Sequence, residues 1–478
     1  MSKRVKPLLF STKNAQYFYD DSTQIVLPIT KEEYIFIQDD KFCSMSDETI
    51  KEQSLHLYQM IKTYNLLNYR DEEYEDDVEY SLKTHGIKSL ILSVHDSCNM
   101  RCKYCYFSDK YEYTPTYKNN SMSFEIAKRA VDFYIDFNEK AVVSNPNIKY
   151  VIGFYGGEPL LNWEVICKVV DYCKQKYKTL FDEMVFPITT NALLLDEQKI
   201  TYMLENHFVI SVSFDGNQQE HDRNRVDIKG NGTFNTVFNN LQLLEKKYKK
   251  YELKKTGKYR GYYNILLTYD NNTDLIELND FFKENSWLDR KIFHINKVSP
   301  LNTTYYKDQQ TEKDRERFYK KQEELIDLFK KTPQEKRTKF LQTYIKQMFL
   351  FLIIRNNYSY NVLRGSCIPG EGKLHVDSEG KFHICEKINR SYSIGNIEEG
   401  FNVENQKKIL EMFLEMINTT CKNCNVRNIC SLCYATTQKD GSCFEMEEKM
   451  CNAIRENATR TLKQYYEFLE ENINILEE

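Results

Sequence analysis

The chain has 478 residues, with 66 basic and 70 acidic side chains and a formal net charge of −4. This balance, without any dense basic tract, argues against a nucleic-acid partner. The longest apolar run, residues 348–354, is too short to span a bilayer, and the N-terminus lacks the apolar stretch of a signal peptide. We therefore expect a cytoplasmic protein without a membrane segment, built from two to four domains.

The N-terminal region, residues 1–85, has no clustered cysteine. Short strands are predicted over residues 6–19 and 24–28. A helix is then expected to start at Thr30, because Thr30 and Glu33 have the spacing of a capping box. A second amphipathic helix is predicted over residues 47–64.

Residues 86–300 alternate β-rich runs with longer helical patterns. Strands are predicted at residues 90–94, 150–154, 185–189, 209–214, 262–267 and 291–295. Six β-then-α units indicate an α/β fold with a parallel sheet and right-handed crossovers, either doubly wound or a partial barrel. In both arrangements the chemistry lies beyond the carboxyl ends of the strands.

Two further regions complete the predicted organisation. Residues 301–360 are expected to form a helical bridge. Residues 361–478 are rich in cysteine and loops, and a charged amphipathic helix over about 445–471 closes the chain. Fourteen cysteines without a secretion signal are more often metal ligands or nucleophiles than a disulfide framework.

A first group of cysteines, Cys98, Cys102 and Cys105, directly follows the strand predicted at 90–94. Three thiolates in eight residues can surround one face of an iron–sulfur cubane, which normally takes four. The open iron would then resemble the open position that distinguishes a catalytic metal from a structural one. Because His95 could supply a fourth ligand, the spacing alone leaves a zinc site open.

The C-x3-C-x2-C spacing, with Tyr104 before the last cysteine, resembles the signature of the radical S-adenosylmethionine (SAM) superfamily. The resemblance implies a partial (β/α)6 TIM-like barrel and a [4Fe–4S] cluster whose open iron binds SAM. It also implies a 5′-deoxyadenosyl radical that abstracts hydrogen from the substrate, so that the cofactor carries the chemistry.

Further positions at the predicted strand ends support the same resemblance. Tyr155 to Pro159 read Y-G-G-E-P and resemble the GGEP motif that meets the SAM amino group. Arg225 resembles the arginine that pairs with the SAM carboxylate, for which a guanidinium offers a bidentate fork. The cofactor-binding residues that the resemblance implies are Tyr104, Gly156, Gly157, Glu158, Asn191, Ser213 and Arg225.

The C-terminal region holds eight of the fourteen cysteines, between residues 367 and 451. Two C-x2-C pairs would accommodate two zinc sites, which stay the alternative. The pattern resembles the SPASM domain of radical SAM peptide maturases, which carries two auxiliary [4Fe–4S] clusters. The resemblance implies one cluster at Cys421, Cys424, Cys430 and Cys451, and another at Cys367, Cys385 and Cys433. The second set is one ligand short, so either Cys443 completes it or a substrate cysteine binds there.

The arrangement of residues 1–85 resembles the winged-helix recognition element of ribosomal peptide maturases, which binds a leader peptide as an added strand. These resemblances imply a SAM-dependent maturase with three [4Fe–4S] clusters, a precursor peptide as substrate, and ferredoxin or flavodoxin as electron donor. A cysteine thioether is the expected crosslink. The alternatives are a carbon–carbon crosslink, anaerobic sulfatase maturation, or a non-catalytic iron–sulfur or zinc scaffold that binds peptide.

Overall fold

A computed structural model describes residues 4–68, 78–141, 149–253, 261–307, 312–353, 366–440, 443–473 and 475. The N-terminal unit combines a three-stranded antiparallel sheet, in the order β1-β2-β3, with three helices. Its elements are β1 (Leu8–Ser11), β2 (Gln16–Asp20), β3 (Ile25–Ile29), α1 (Lys31–Gln38), α2 (Asp47–Gln53) and α3 (Leu55–Thr63).

The start of α1 is as predicted. The Thr30 hydroxyl accepts the Glu33 N–H, and the Glu33 carboxylate accepts the Thr30 N–H. Two other predictions are wrong in detail. A turn at residues 12–15 divides the strand expected over 6–19, and Ser54, which caps α3 by accepting the Leu57 N–H, divides the helix expected over 47–64.

The central unit contains six parallel strands that pair in chain order. A doubly wound sheet would reverse its strand order, so the chain order excludes that alternative and is the order that the predicted partial barrel requires. Its elements are α4 (Val78–His85), β4 (Leu90–His95), α5 (Phe124–Ala141), β5 (Tyr150–Gly156), α6 (Trp163–Lys176), β6 (Met184–Thr190), α7 (Glu197–Glu205), β7 (Phe208–Ser213), α8 (Gln218–Asn224), α9 (Phe234–Glu252), β8 (Tyr262–Tyr269), α10 (Leu275–Glu284), α11 (Ser286–Asp289) and β9 (Ile292–Lys297).

Two helices, α12 (Glu312–Lys331) and α13 (Lys339–Ile353), follow the barrel where a helical bridge is predicted. Residues 308–311 and 354–360 of that predicted bridge lie outside the described residues. The C-terminal elements are β10 (Leu374–Val376), β11 (Lys381–His383), β12 (Ser393–Asn396), β13 (Gly400–Phe401), α14 (Val403–Thr420), α15 (Tyr434–Thr437), β14 (Gln438–Lys439), β15 (Cys443–Phe444) and α16 (Glu448–Glu470).

Strands from the C-terminal region extend the barrel sheet. β10 pairs in parallel with β4, with Leu374 opposite Leu90, and β11, β12 and β13 continue outward as an antiparallel ribbon. One ten-stranded sheet therefore joins the segment that carries Cys98 to the segment that carries Cys385.

The N-terminal sheet packs against the C-terminal region. Its buried side chains Leu8, Phe10 and Tyr19 share an apolar cluster with residues of α16 and with the loop that contains Val426 and Ile429. Among the residues that the structure describes, no helix is long and apolar enough to cross a membrane.

Candidate active site

The predicted cofactor-binding residues follow the carboxyl ends of neighbouring parallel strands. Cys98 comes after β4, Glu158 after β5, Asn191 after β6, and Ser213 is the last residue of β7. Because parallel strands end at one edge of the sheet, these segments meet at one mouth of the barrel. The structure thus brings together residues that lie more than one hundred positions apart in the sequence.

Backbone hydrogen bonds hold the cysteine loop from two sides. On one side the Lys103 N–H donates to the Asn224 carbonyl at 3.0 Å and the Arg101 N–H to the Val226 carbonyl at 2.8 Å. This pairing places Arg225 beside the loop. The second side is the Y-G-G-E-P turn, where the Glu158 N–H donates to the Ser97 carbonyl at 3.0 Å.

Both glycines of this turn are required by space, and Gly156 is also required by its conformation. Gly156 has a φ of +128°, and a Cβ there would lie 2.2 Å from the His95 carbonyl oxygen. At Gly157 a Cβ would lie 2.2 Å from the Ser97 carbonyl oxygen. Since both obstacles are backbone atoms, only glycine allows the turn to approach the cysteine loop this closely.

The three thiols of the loop lie within electrostatic range of one another. Cys102 and Cys105 both contribute to the raised pKa of the Cys98 thiol, which burial raises to about 12. Among the described residues, no three His, Cys, Asp or Glu side chains converge closely enough for a single metal ion. The assignment of these thiols as cluster ligands stays a prediction.

Glu158 is a buried carboxylate that ties two turns together. One oxygen accepts the Leu160 N–H at 3.0 Å and the Thr190 hydroxyl at 2.7 Å, and the other accepts the Asn191 N–H at 2.8 Å. Burial raises its pKa to about 7 despite these donors. Glu158 thereby fixes Asn191 against the turn after β5.

Asn191 in turn faces the first cysteine. Its side-chain Nδ2 lies 3.5 Å from the Cys98 sulfur and donates to Asn99 Oδ1 at 2.7 Å. The Met100 N–H points to the same sulfur at 3.3 Å. Amide donors of this kind stabilise negative charge on sulfur.

Arg225, Tyr104 and Asp215 form a buried chain of hydrogen bonds. Arg225 donates to the Tyr104 hydroxyl at 2.7 Å, and that hydroxyl donates to Asp215 Oδ2 at 2.5 Å. Asp215 Oδ1 accepts the Thr268 N–H at 3.0 Å. The Nε of Arg225 is buried without a hydrogen-bond partner among the described residues. A buried guanidinium with a free donor suits an anionic group of a bound cofactor.

Four distal cysteines surround one cavity, as their predicted common cluster requires. The cavity is lined by Cys421, Cys424, Cys430 and Cys451, together with Arg427, Arg455 and apolar side chains. Burial raises the pKa values of the Cys421 and Cys430 thiols to about 12. Bound cations favour the thiolate form of such buried cysteines. Their role as ligands stays a prediction.

The other predicted auxiliary ligands form a separate group. Cys433 contributes to the raised pKa values of both the Cys367 and the Cys385 thiols, for which burial is the main cause. Cys443 is exposed on the β14–β15 hairpin, where its backbone pairs with Lys439. The structure thus groups Cys433 with Cys367 and Cys385, of which Cys367, like Cys443, is exposed.

An open pocket lies between this second group and the barrel mouth. Its walls include Tyr106 and Tyr111, which follow Cys105, and Leu301, which follows β9. Cys433 and Lys387 line it from the C-terminal region. The pocket therefore connects the segment after the first cysteine group with one thiol of the second.

Two functional candidates were not among the sites predicted from sequence. Asp215 accepts a hydrogen bond from the Tyr104 hydroxyl. In the sequence it can be recognised as a carboxylate two residues after Ser213, which ends a strand of the sheet. Lys387 lines the pocket, but a single lysine two residues after Cys385 has no spacing that marks it.

A family model described as the Radical SAM superfamily matches residues 92–282. This part of the chain is therefore a radical SAM domain, and the protein is a SAM-dependent modifying enzyme, as the sequence predicts. The matched domain implies SAM and a [4Fe–4S] cluster as cofactors.

The curated relatives include sulfatase-maturating enzymes and a cyclopropyl synthase. A cysteine-type anaerobic sulfatase-maturating enzyme of Clostridium novyi is 25% identical over 356 residues, which are 72% of this chain and 87% of that protein. The radical SAM cyclopropyl synthase TigE of Paramaledivibacter caminithermalis is 27% identical over 231 residues, or 46% of this chain and 43% of TigE.

A solved structure, "Native anSMEcpe with bound AdoMet and Kp18Cys peptide", resembles the fold with a TM-score of 0.57 at 22% identity. The match covers 80% of this chain and 99% of that one. At this identity the likeness shows a shared fold.

Proposed function

We propose that this enzyme is a maturase that crosslinks a ribosomally made precursor peptide, with a cysteine thioether as product. The observation that carries the proposal is the pocket between the barrel mouth and Cys433. A peptide in this pocket would contact the SAM site on one side and an auxiliary cluster site on the other. Relatives that act on proteins and one that makes a cyclopropyl product support this class of reaction.

The residues present fit the cofactors that the family implies. Two glycines let the turn after β5 lie directly against the cysteine loop, and the Nε of Arg225 is buried without a hydrogen-bond partner among the described residues. Cys98, Cys102 and Cys105 would hold the SAM cluster. Bound SAM and its cluster would supply one-electron chemistry that removes a hydrogen atom from the substrate.

The protein's own contribution is orientation and exclusion of water. Glu158 fixes Asn191 against Cys98, and the Asp215–Tyr104 pair holds the Arg225 side chain. These groups are buried, so they are positioned before a ligand arrives. We infer that Arg225 binds the SAM carboxylate and that Ser213 contacts the nucleoside part.

We further propose that the Cys367, Cys385 and Cys433 cluster has an open iron for the substrate. Cys433, and not Cys443, is among the groups that raise the pKa values of the Cys367 and Cys385 thiols, which supports this choice over Cys443 as a fourth protein ligand. Joining a cysteine sulfur to carbon removes a hydrogen atom from the carbon, and a proton and an electron from the thiol. The auxiliary cluster is proposed as acceptor of that electron, and ferredoxin or flavodoxin as the reductant for SAM cleavage.

Mass spectrometry of a coexpressed peptide tests the product. The substrate would be a short cysteine-containing peptide encoded next to this gene, purified with and without the active enzyme. We expect a product lighter by two hydrogen atoms that no longer reacts with iodoacetamide. The same mass loss with a reactive thiol would instead identify a carbon–carbon crosslink, and an unchanged peptide would contradict the proposal.

Anaerobic sulfatase maturation is the second candidate. It is favoured by the match to the Clostridium novyi enzyme, which extends over 87% of that protein. A sulfatase encoded beside this gene, modified at its cysteine by the purified enzyme, would support this candidate over the first. A chain that binds two zinc ions and no iron would instead be a non-catalytic scaffold.

The N-terminal unit is proposed to bind the leader of the precursor peptide. β3 pairs only with β2 among the described strands, so its second edge is available for an added strand. Addition of the leader should slow hydrogen exchange of the β3 amides, because they would become hydrogen-bonded. Amides of β12, in the distant ribbon, serve as the control. Unchanged exchange at β3 would remove the leader-binding proposal.

Deleting residues 1–85 would not isolate this function. Asp21 accepts the Asn428 N–H at 2.9 Å, and the Asp21 carbonyl accepts the Asn428 side chain at 2.6 Å. The deletion would also uncover Val426 and Ile429, which lie between Cys424 and Cys430. The N-terminal sheet therefore supports the loop of a predicted auxiliary cluster, and a truncation would disturb both.

A further inference from the structure

The side chains that line the pocket beside Cys433 carry a net positive charge. Its cavity volume is about 80 Å³, and its lining contains one lysine, three tyrosines and no acidic residue. The lysine is Lys387, and the tyrosines are Tyr106, Tyr111 and Tyr113. A pocket of this composition favours an anionic group over a cationic one.

Lys387 has no carboxylate partner among the described residues. Its ammonium lies 4.3 Å from the centre of the Tyr106 ring, a contact that uses none of its hydrogen-bond donors. The adjacent Glu386 pairs with Lys373 at 2.9 Å instead. Tyr106 and Glu386 already favour the charged form of this partly buried lysine. Its hydrogen-bond donors nevertheless have no acceptor among the described residues, so they are free to bind a ligand.

A second lysine near the pocket differs in this respect. Lys439 lies 5.5 Å from the centre of the Tyr113 ring, but its ammonium pairs with Glu447 at 2.7 Å. Its charge is thus already compensated. The contrast makes Lys387 the cation of this pocket that is available to a bound molecule.

We propose that the pocket is a carboxylate subsite, in which Lys387 binds a carboxylate of the substrate peptide close to the residue that is modified. This inference rests on the proposed peptide substrate. The carboxylate belongs either to an aspartate or glutamate side chain or to the peptide C-terminus. In both cases the aromatic walls cover the adjoining apolar part of the ligand, while the ammonium fixes its position relative to Cys433.

Three probe peptides of equal length test the subsite with the full-length, iron-loaded protein. They are Ac-Gly-Ser-Glu-Gly-Ser-amide, its Gln counterpart, and the Gln peptide with a free C-terminal carboxylate. We expect at least one acidic peptide to bind about 10-fold more tightly than the neutral one in calorimetry, as a charge-assisted hydrogen bond provides. The acidic peptide that gains affinity identifies the source of the carboxylate.

Variants locate the interaction. Lys387→Met should abolish the preference for the acidic peptide, Lys387→Arg should retain most of it, and the matched control Lys439→Met should leave it unchanged. Equal binding of all three peptides to the parent protein would overturn the proposal, as would a preference that survives in Lys387→Met.

A different role for Lys387, compensation of charge on the neighbouring cluster, predicts another result. Lys387→Met would then shift the midpoint potential of that cluster without changing the preference between peptides, and this outcome would also overturn the subsite. Formation of 5′-deoxyadenosine from SAM is measured in parallel. If the parent protein forms no 5′-deoxyadenosine, the proposed function is refuted. The peptide-binding results decide independently whether the pocket binds a carboxylate.

Discussion

Replacing Cys98 with alanine is expected to abolish the formation of 5′-deoxyadenosine from SAM and dithionite. Cys98 is the thiol that Asn191 and the Met100 N–H face, at 3.5 Å and 3.3 Å, so these donors would stabilise its thiolate in a bound cluster, against the burial that raises its pKa. Two cysteines cannot hold a cubane that keeps one iron open for SAM. The iron content should fall from about twelve to about eight per chain.

The matched control for this variant is Cys167→Ala. Cys167 is also a partly buried thiol, but it lies on α6, where its backbone carbonyl accepts the Tyr202 hydroxyl. Iron content and SAM cleavage should match the parent protein. Persistent cleavage by the Cys98→Ala enzyme would contradict the assignment of the first cluster.

Local patterns in the sequence predict the six parallel strands well. The six strands lie within three residues of their predicted bounds, because each is an apolar run that a helical pattern follows. The capping box at Thr30 is equally local, since both partners belong to one turn. In each case the information needed lies within a few residues of the element.

The misjudged elements show where local patterns are insufficient. Residues 47–64 have the periodicity of a single helix, yet Ser54 adopts an extended conformation and caps a second one. Serine competes with the helix for backbone hydrogen bonds, and the tertiary packing decides which conformation is adopted. The same limit applies to the turn at residues 12–15, which the alternating apolar pattern on either side conceals.

Parts of the site depend on contacts between distant segments. No periodic pattern in the sequence predicts the parallel pairing of β10 with β4. This pairing brings the segment with Cys385 and Lys387 close to the barrel. Likewise, Tyr104 and Asp215 are 111 residues apart, and only the fold brings them into contact. The sequence therefore indicates the type of chemistry, while the pocket and its charge emerge only from the packing.

Replacing Gly157 with alanine is expected to weaken SAM binding by about 10- to 100-fold, in line with the cost of overpacking a close contact. The added Cβ would lie 2.2 Å from the Ser97 carbonyl oxygen and 2.4 Å from its carbon. Because these are backbone atoms, the loop before Cys98 must move. That movement would lengthen the hydrogen bond from the Glu158 N–H to the same carbonyl.

Equilibrium dialysis of SAM against the iron-loaded variant measures this effect, and circular dichroism checks that the barrel is folded. Gly230→Ala is the control for introducing alanine at an exposed glycine. Gly230 has a φ of +86°, but nothing lies within 4 Å of an added Cβ, so only about 1–2 kcal/mol of backbone strain is expected. SAM affinity should then be preserved. If Gly157→Ala bound SAM as tightly as the parent protein, the close approach of the turn to the cysteine loop would not be what forms the SAM site.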